Sequence, residues 1–354
     1  MKLNNKKNLI AAAAAATLAS LPLAALADGS VTLYGMLDVS VESFHYNSTP
    51  TRPSGHLTTM TSDTSRLGVR GSEDLGDGLR AYFKLETGYQ TDNGTVTVPA
   101  TFWSRESYLG LGSDKLGSVQ LGSQYAPSLW MSVWTDPFFR FGLGGQYTLL
   151  QGLRGYSIKY DNAVQYQTPV IGGFSGRLMA APGEGAVTGT SYSASAEYRT
   201  APVYVGAVLD QVKTTAASVG LAGAPVTSRT LSLSATYDFK VVKLSGWWQT
   251  NRIESLSNVN GYVVGATIPF GVQDEIRTSY AHRSATNADA SLFAIGYFHI
   301  LSKRTTLYAN FGRLTNGKAA AFRMGPAIGE QVAVGLPTVG QDSTGTQFGI
   351  RHWF

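Results

Sequence analysis

From Val31 to Glu42 the chain alternates: Val31, Leu33, Gly35, Leu37, Val39 and Val41 stand against Thr32, Tyr34, Met36, Asp38, Ser40 and Glu42. Successive side chains of an extended strand point to opposite faces, so this period of two makes one aliphatic face and one mostly polar or acidic face. A half-buried strand of a soluble sandwich has the same pattern. The hairpin from Thr64 to Gln90 is more telling. Leu67, Val69 and Gly71 oppose Arg66, Gly68 and Arg70; after Asp74-Leu75-Gly76-Asp77-Gly78, the residues Leu79, Ala81, Phe83, Leu85 and Tyr89 alternate with Arg80, Tyr82, Lys84, Glu86 and Gln90. Both strands place full charges opposite the apolar face.

The alternation recurs to the C-terminus and predicts sixteen strands, near 31–44, 64–73, 79–90, 102–112, 118–124, 156–168, 173–181, 190–200, 202–212, 229–239, 241–251, 260–269, 275–284, 290–300, 305–313 and 343–354. Strands of about ten residues, rising ~3.3 Å each and tilted ~45°, reach roughly 23 Å, the apolar height of an outer membrane. Strands of soluble sheets average only about 5–6 residues. Links after even-numbered strands are brief, whereas those at 45–63, 125–155, 213–228 and 314–342 are long. Short turns on one side and long loops on the other are the layout of a bacterial outer-membrane barrel. The 125–155 stretch is rich in aromatic, Gly and charged residues but keeps no period of two. On a closed barrel such a loop either covers the mouth or folds in and narrows it.

Composition supports strands and turns over helices: 40 Gly, 18 Tyr and 15 Phe, with 14% charged residues. Residues 1–27 read as a cleaved export signal, with Lys2, Lys6 and Lys7, an apolar run from Leu9 to Leu21, and Ala25-Leu26-Ala27 at the end. Without them the balance of 28 Lys and Arg against 23 Asp and Glu falls by three lysines to near neutrality, so no nucleic-acid partner is expected. Residues 28–354 then form a single barrel domain. No cysteine occurs, which removes disulfides and thiolate metal sites. His45, His56, His282, His299 and His352 are scattered, so no metal or cofactor is expected. Neither a G-x-S-x-G elbow, an H-E-x-x-H pair nor a phosphate-binding Gly-Lys loop is present, and no enzyme activity is expected.

If the apolar face meets lipid, the charged face lines water. Parity then assigns to the lumen the bases Arg66, Arg70, Arg80, Lys84, Lys159, Arg177, Arg199, Lys243, Arg277, Arg283 and Arg351. The acids on that face are Asp38, Glu42, Glu86, Glu106, Glu197, Asp210 and Asp238. Tyr34, Tyr89, Trp103, Tyr192, Tyr198, Tyr262 and Phe354 are expected in interfacial aromatic girdles.

Several blocks carry a family likeness: Val31-Thr32-Leu33-Tyr34-Gly35 with Asp38, the run from Ser65 to Gly76, Tyr108-Leu109-Gly110-Leu111, Asp136-Pro137-Phe138, Leu301-Ser302-Lys303-Arg304-Thr305, and the closing Gly349-Ile350-Arg351-His352-Trp353-Phe354. Together they resemble the trimeric general porins of β-proteobacteria, over the whole mature chain. Ser123 and Phe298 depart from that family, standing where Arg and a polar residue are usual.

The resemblance implies an all-β, 16-stranded antiparallel transmembrane β-barrel with short periplasmic turns, long external loops and a third loop folded into the lumen, assembled as a homotrimer in outer-membrane lipid. It implies a water-filled channel for passive diffusion of ions and small hydrophilic solutes. The basic wall of Arg66, Arg70, Arg80, Lys84, Lys159 and Arg177, the acids Asp38, Glu42 and Glu86, and Asp136, Arg140 and Arg154 of the loop are expected to shape a mildly anion-selective constriction. The alternatives are a substrate-specific porin with a site at the constriction, or a barrel serving as adhesin or outer-membrane enzyme.

Overall fold

The computed structural model describes residues 29–145, 147–150, 157–184, 189–325 and 338–354. The expected export signal and Arg154 lie outside the described residues. Sixteen strands form one closed antiparallel sheet: β1 Ser30–Tyr46, β2 in two segments Gly55–Ser62 and Arg66–Gly76, β3 Leu79–Gly88, β4 Glu106–Ser113, β5 Gly117–Tyr125, β6 Lys159–Gln167, β7 Phe174–Ala181 and β8 Ser191–Thr200. The second half comprises β9 Val203–Thr214, β10 Val226–Asp238, β11 Lys243–Ile253, β12 Val259–Phe270, β13 Asp274–Ser284, β14 Ala290–Ile300, β15 Thr305–Asn316 and β16 Ser343–Trp353.

The sheet closes where β1 pairs β16, from Met36 opposite Trp353 to Tyr46 opposite Ser343. The last residue takes part: Gly35 and Phe354 exchange backbone hydrogen bonds of 3.2 and 3.1 Å. Closure leaves no edge strand, so every barrel amide can find a partner without water, as a lipid-facing sheet requires. The alternation sorts as expected. Leu33 is 62% exposed on the outer face, while Asp38 and Glu42 are fully buried within.

The two segments of β2 both pair β1, one with Val39–Tyr46 and the other with Ser30–Met36. The region read as a loop over 45–63 is therefore largely strand: Gly55–Ser62 pairs Val39–Tyr46 of β1, which β16 pairs on its other side. Between the segments, at Asp63, Thr64 and Ser65, the ladder breaks and Thr64 adopts a left-handed φ of 56°. The Ser65 hydroxyl fills the gap, accepting from the Asp38 amide at 2.9 Å and donating to the Asp38 carbonyl at 3.1 Å. Such a break re-aims a side chain, and here Asp63 turns into the lumen.

The apolar core is displaced, because a barrel with a polar lumen has none at its centre. It forms where the inward loop meets the wall: Met131, Leu143, Leu149 and Leu150 of the loop pack with Phe44, Trp247, Leu292 and Leu314 of the strands. Among the expected girdle residues, Tyr192, Tyr262 and Phe354 are exposed. Tyr34 is not a girdle residue: it faces the lumen and donates to Glu86 Oε2 at 2.8 Å. It shares the parity of Asp38, which places it inside.

Candidate functional site

After Tyr125 the chain enters the lumen as helix α1, Pro127–Thr135. Pro127 suits the first helical position, where an amide would have no intrahelical acceptor. Ser128, Met131, Ser132 and Thr135 are buried, and the helix packs on β8, β9, β10 and β11. The hydroxyls of Ser132 and Thr135 bond back to the carbonyls of Leu129, at 2.6 Å, and Met131, at 2.9 Å. Trp130, Val133 and Trp134 are less buried, on the opposite side. The buried side is therefore mixed, with Met131 in the apolar core and the Ser132 and Thr135 hydroxyls satisfied on the helix's own carbonyls, while the less buried side toward the channel is apolar and aromatic. Gly206 on β9 permits the approach, since a methyl there would stand 2.8 Å from Met131 Cε.

Asp136 ends the helix and organises the next turn. Its two carboxylate oxygens accept the amides of Phe138 and Arg140, both at 3.0 Å. Phe139 and Arg140 hold left-handed φ values of 52° and 69°, a conformation that costs a bulky L-residue about 1–2 kcal/mol. The turn sends Phe138 into the wall against Phe298, ring centroids 6.1 Å apart, and Phe298 stacks on Tyr308 at 6.0 Å. Phe139 and Phe141 line the channel.

The loop is then pinned at its tip. The Gly142 amide donates to Asp63 Oδ2, and the Leu143 amide donates to Gln347 Oε1 at 3.3 Å. Gln347 in turn donates from Nε2 to Glu42 Oε1 at 2.7 Å and to Ser40 Oγ at 3.0 Å. Glu42 therefore supports the loop anchor from behind.

Between the loop and the facing wall lies a cavity of about 610 Å³, lined by seven cationic side chains, Arg66, Lys84, Arg105, Arg140, Lys159, Arg277 and Arg351, and one carboxylate, Glu86. Further acids stand behind this lining. Lys84 pairs with Glu86 at 3.3 Å and with Glu106, Arg105 with Glu86 at 2.7 Å, and Lys159 with Asp161 at 3.2 Å. Arg277 Nε donates to Glu275 at 2.7 Å, and Arg351 Nε to Asp38 at 2.5 Å. Arg66 forms no salt bridge among the described residues: one guanidinium nitrogen meets Met36 Sδ at 3.6 Å and its Nε is buried without a partner.

Aromatic rings cover these cations. Arg351 lies 4.0 Å from the Phe141 centroid, Arg277 sits 3.9 Å from Phe298 and 4.8 Å from Phe139, and Arg66 lies 5.2 Å from Trp353 and 5.8 Å from Phe141. Each such contact contributes about 0.5–2 kcal/mol, more where water is excluded. The rings also hold the guanidinium planes, which fixes where their charge is presented.

Of the residues expected at the constriction, Arg66, Lys84, Lys159, Glu86 and Arg140 meet at this cavity, joined by Arg277 and Arg351 of the lumen set assigned by parity. The others stand elsewhere. Asp38 is buried behind Arg351, and Tyr308 donates to its other oxygen at 2.5 Å. Arg70 lies over the Tyr34 ring at 5.1 Å. Arg80 pairs with Asp114 at 3.1 Å beside the short turns, and Arg177 pairs with Glu197 at 2.6 Å. Ser123, the departure from the expected Arg, donates to Asp161 Oδ1 at 2.5 Å.

Arg105 was missed, and Trp130, Phe139 and Phe141 entered only as part of the aromatic-rich 125–155 stretch. Arg105 precedes β4 by one residue, and strict alternation back from Glu106 would turn it toward lipid. A full charge at a lipid-facing parity was itself a signal that the strand begins later.

The chain matches the family Gram-negative porin over residues 11–319. Outer membrane porin protein 32 of Delftia acidovorans is 34% identical over 366 residues, covering 99% of this chain and 100% of that protein. An outer membrane porin protein of Bordetella pertussis is 29% identical over 400 residues, covering 90% and 98%. The solved anion-selective porin from Comamonas acidovorans superposes with a TM-score of 0.78 at 31% identity, over 92% of this chain and 100% of that one. Outer-membrane expressed OmpT of Vibrio cholerae shares the fold, with a TM-score of 0.66 at 16% identity over 92% and 98%.

Proposed function

Because this chain belongs to the Gram-negative porin family and forms an outer-membrane diffusion channel for small polar solutes and ions, we propose that it passes anions in preference to cations at the loop-lined cavity. The observation that carries this reading is the lining itself, seven bases and one acid. A unit charge ~6 Å from a passing ion in water contributes about 0.7 kcal/mol before screening. With a Debye length of ~8 Å at physiological salt, a surplus of one or two charges favours anions severalfold and still admits cations. The similarity to a porin named for its anion selectivity supports the same direction.

The mature protein is a homotrimer of residues 28–354, released from the 1–27 signal on export. Support for this comes from the resemblance to trimeric porins and from the signal pattern of the first residues. The assembly is testable by the mass of the purified protein and by conductance steps in threes.

The deciding measurement for selectivity is the zero-current potential of the purified channel in a planar bilayer under a KCl gradient. A potential of the sign set by chloride flux is expected. A potential of the cation-selective sign, or none, would overturn the anion reading and leave the diffusion channel standing.

A further inference from the structure

We propose that the waist selects among anions, favouring carboxylates with a flat apolar body, such as aromatic acids, over small hydrated anions of equal charge. This rests on the anion reading above and adds a solute class to it. Charge selection alone needs only cations in water, but here the charged groups share their cavity with rings. Trp130, Val133 and Leu129 of α1, together with Phe139, Phe141 and Trp353, line the same space of about 610 Å³ as Arg66. That volume lies within the range of roughly 300–1,000 Å³ typical of small-molecule sites, which combine apolar walls with a few oriented polar groups.

Arg66 is the fitting carboxylate partner. It lines the cavity and has, among the described residues, no salt bridge and one side-chain hydrogen bond, to the weak acceptor Met36 Sδ. A planar guanidinium presents paired N–H groups that match two carboxylate oxygens, a geometry that a spherical ion cannot use. Trp353 and Phe141 flank that fork at 5.2 and 5.8 Å, so a ring attached to the carboxylate enters aromatic surroundings, where offset contacts at about 4.5–7 Å are favourable. The apolar channel side of α1 points the same way. A helix in a channel built only for hydrated ions gains nothing from facing Trp130 and Val133 toward the lumen, whereas removing apolar solute surface from water there is favourable.

The test is block of chloride current through the purified full channel in a planar bilayer at neutral pH by benzoate, cyclohexanecarboxylate and acetate, with the zero-current potential recorded on the same membranes. Saturable block is expected in the order benzoate, cyclohexanecarboxylate, acetate, with benzoate effective at about a tenth or less of the acetate concentration. Trp130→Leu and Phe141→Leu are expected to weaken benzoate block severalfold more than acetate block. Equal block by benzoate and acetate on an anion-preferring channel would overturn this inference and leave the anion reading intact. Absence of anion preference would remove the reading beneath it. The wild-type solute series is decisive even where a variant fails to assemble.

Discussion

Asp63, turned inward by the break in β2, accepts the backbone amide of Gly142 and so ties the tip of the inward loop to the wall. Both groups are buried, and Gly142 has a left-handed φ of 64° that a side chain would strain. An amide left without an acceptor in such a place costs about 1–3 kcal/mol. Asp63→Ala should therefore loosen the loop, seen as noisier single-channel current and faster proteolytic nicking within 125–155. Asp63→Asn keeps an oxygen acceptor and should stay quiet. Equal noise in the two variants would show that the carboxylate's charge, rather than the hydrogen bond, holds the tip.

The contact between Gly206 and Met131 sets how closely α1 lies on the wall. A Cβ at residue 206 would meet Met131 Cε at 2.8 Å and Sδ at 3.2 Å. Overpacking of this kind typically costs about 1–3 kcal/mol or shifts the mobile partner. Gly206→Val should displace the helix toward the channel and lower single-channel conductance while keeping the sign of selectivity. Adding Met131→Ala should restore much of the conductance, because the two residues share one contact and their effects are not additive. Loss of conductance that the second change leaves untouched would place the damage in the β9 ladder instead.

The barrel was legible because one rule, alternation, runs through it. Lipid outside and water inside impose opposite chemistry on successive residues, so Leu33 and Asp38 betray their faces without any neighbour being known. The waist was legible only in part. Helix α1 is short and contains Trp, Val, Ser and Thr, weak helix formers, and its apolar residues divide between the buried side, with Leu129 and Met131, and the channel side, with Trp130, Val133 and Trp134, so no single apolar stripe marks it. Arg66 and Lys84 followed from strand parity, whereas Phe139 and Arg140 depend on a left-handed turn held by Asp136. Parity also assigns a face and says nothing about height along the barrel, which is why Arg80 looked equivalent to Arg66.

Asp38 is fully buried, and its oxygens receive Arg351 Nε and Tyr308 Oη, each at 2.5 Å. These contacts join β1, β15 and β16 across the seam where the barrel closes. Removing one partner of a buried ion pair costs about 3–5 kcal/mol, because the remaining charge is stranded. Arg351→Met should lower the temperature at which the detergent-solubilised barrel loses its compact form on unheated gels. Asp38→Asn with Arg351→Met should recover part of that loss. A pair of variants with the same unfolding temperature would mean that the stranded charge of Asp38 contributes little to the seam.

Arg66 and Arg80 lie on neighbouring strands with the same parity but in different surroundings. Arg66 lines the cavity without a salt bridge among the described residues, while Arg80 pairs with Asp114 beside the short turns, its side chain 49% exposed. At ordinary salt a charge acts over about 8 Å, so an ion at the waist senses Arg66 and little of Arg80. Arg66→Ser should move the zero-current potential toward zero, by an amount that shrinks as KCl is raised. Arg80→Ser should change it little at any salt. An equal shift from both would mean that the whole basic wall, rather than the waist, sets the preference.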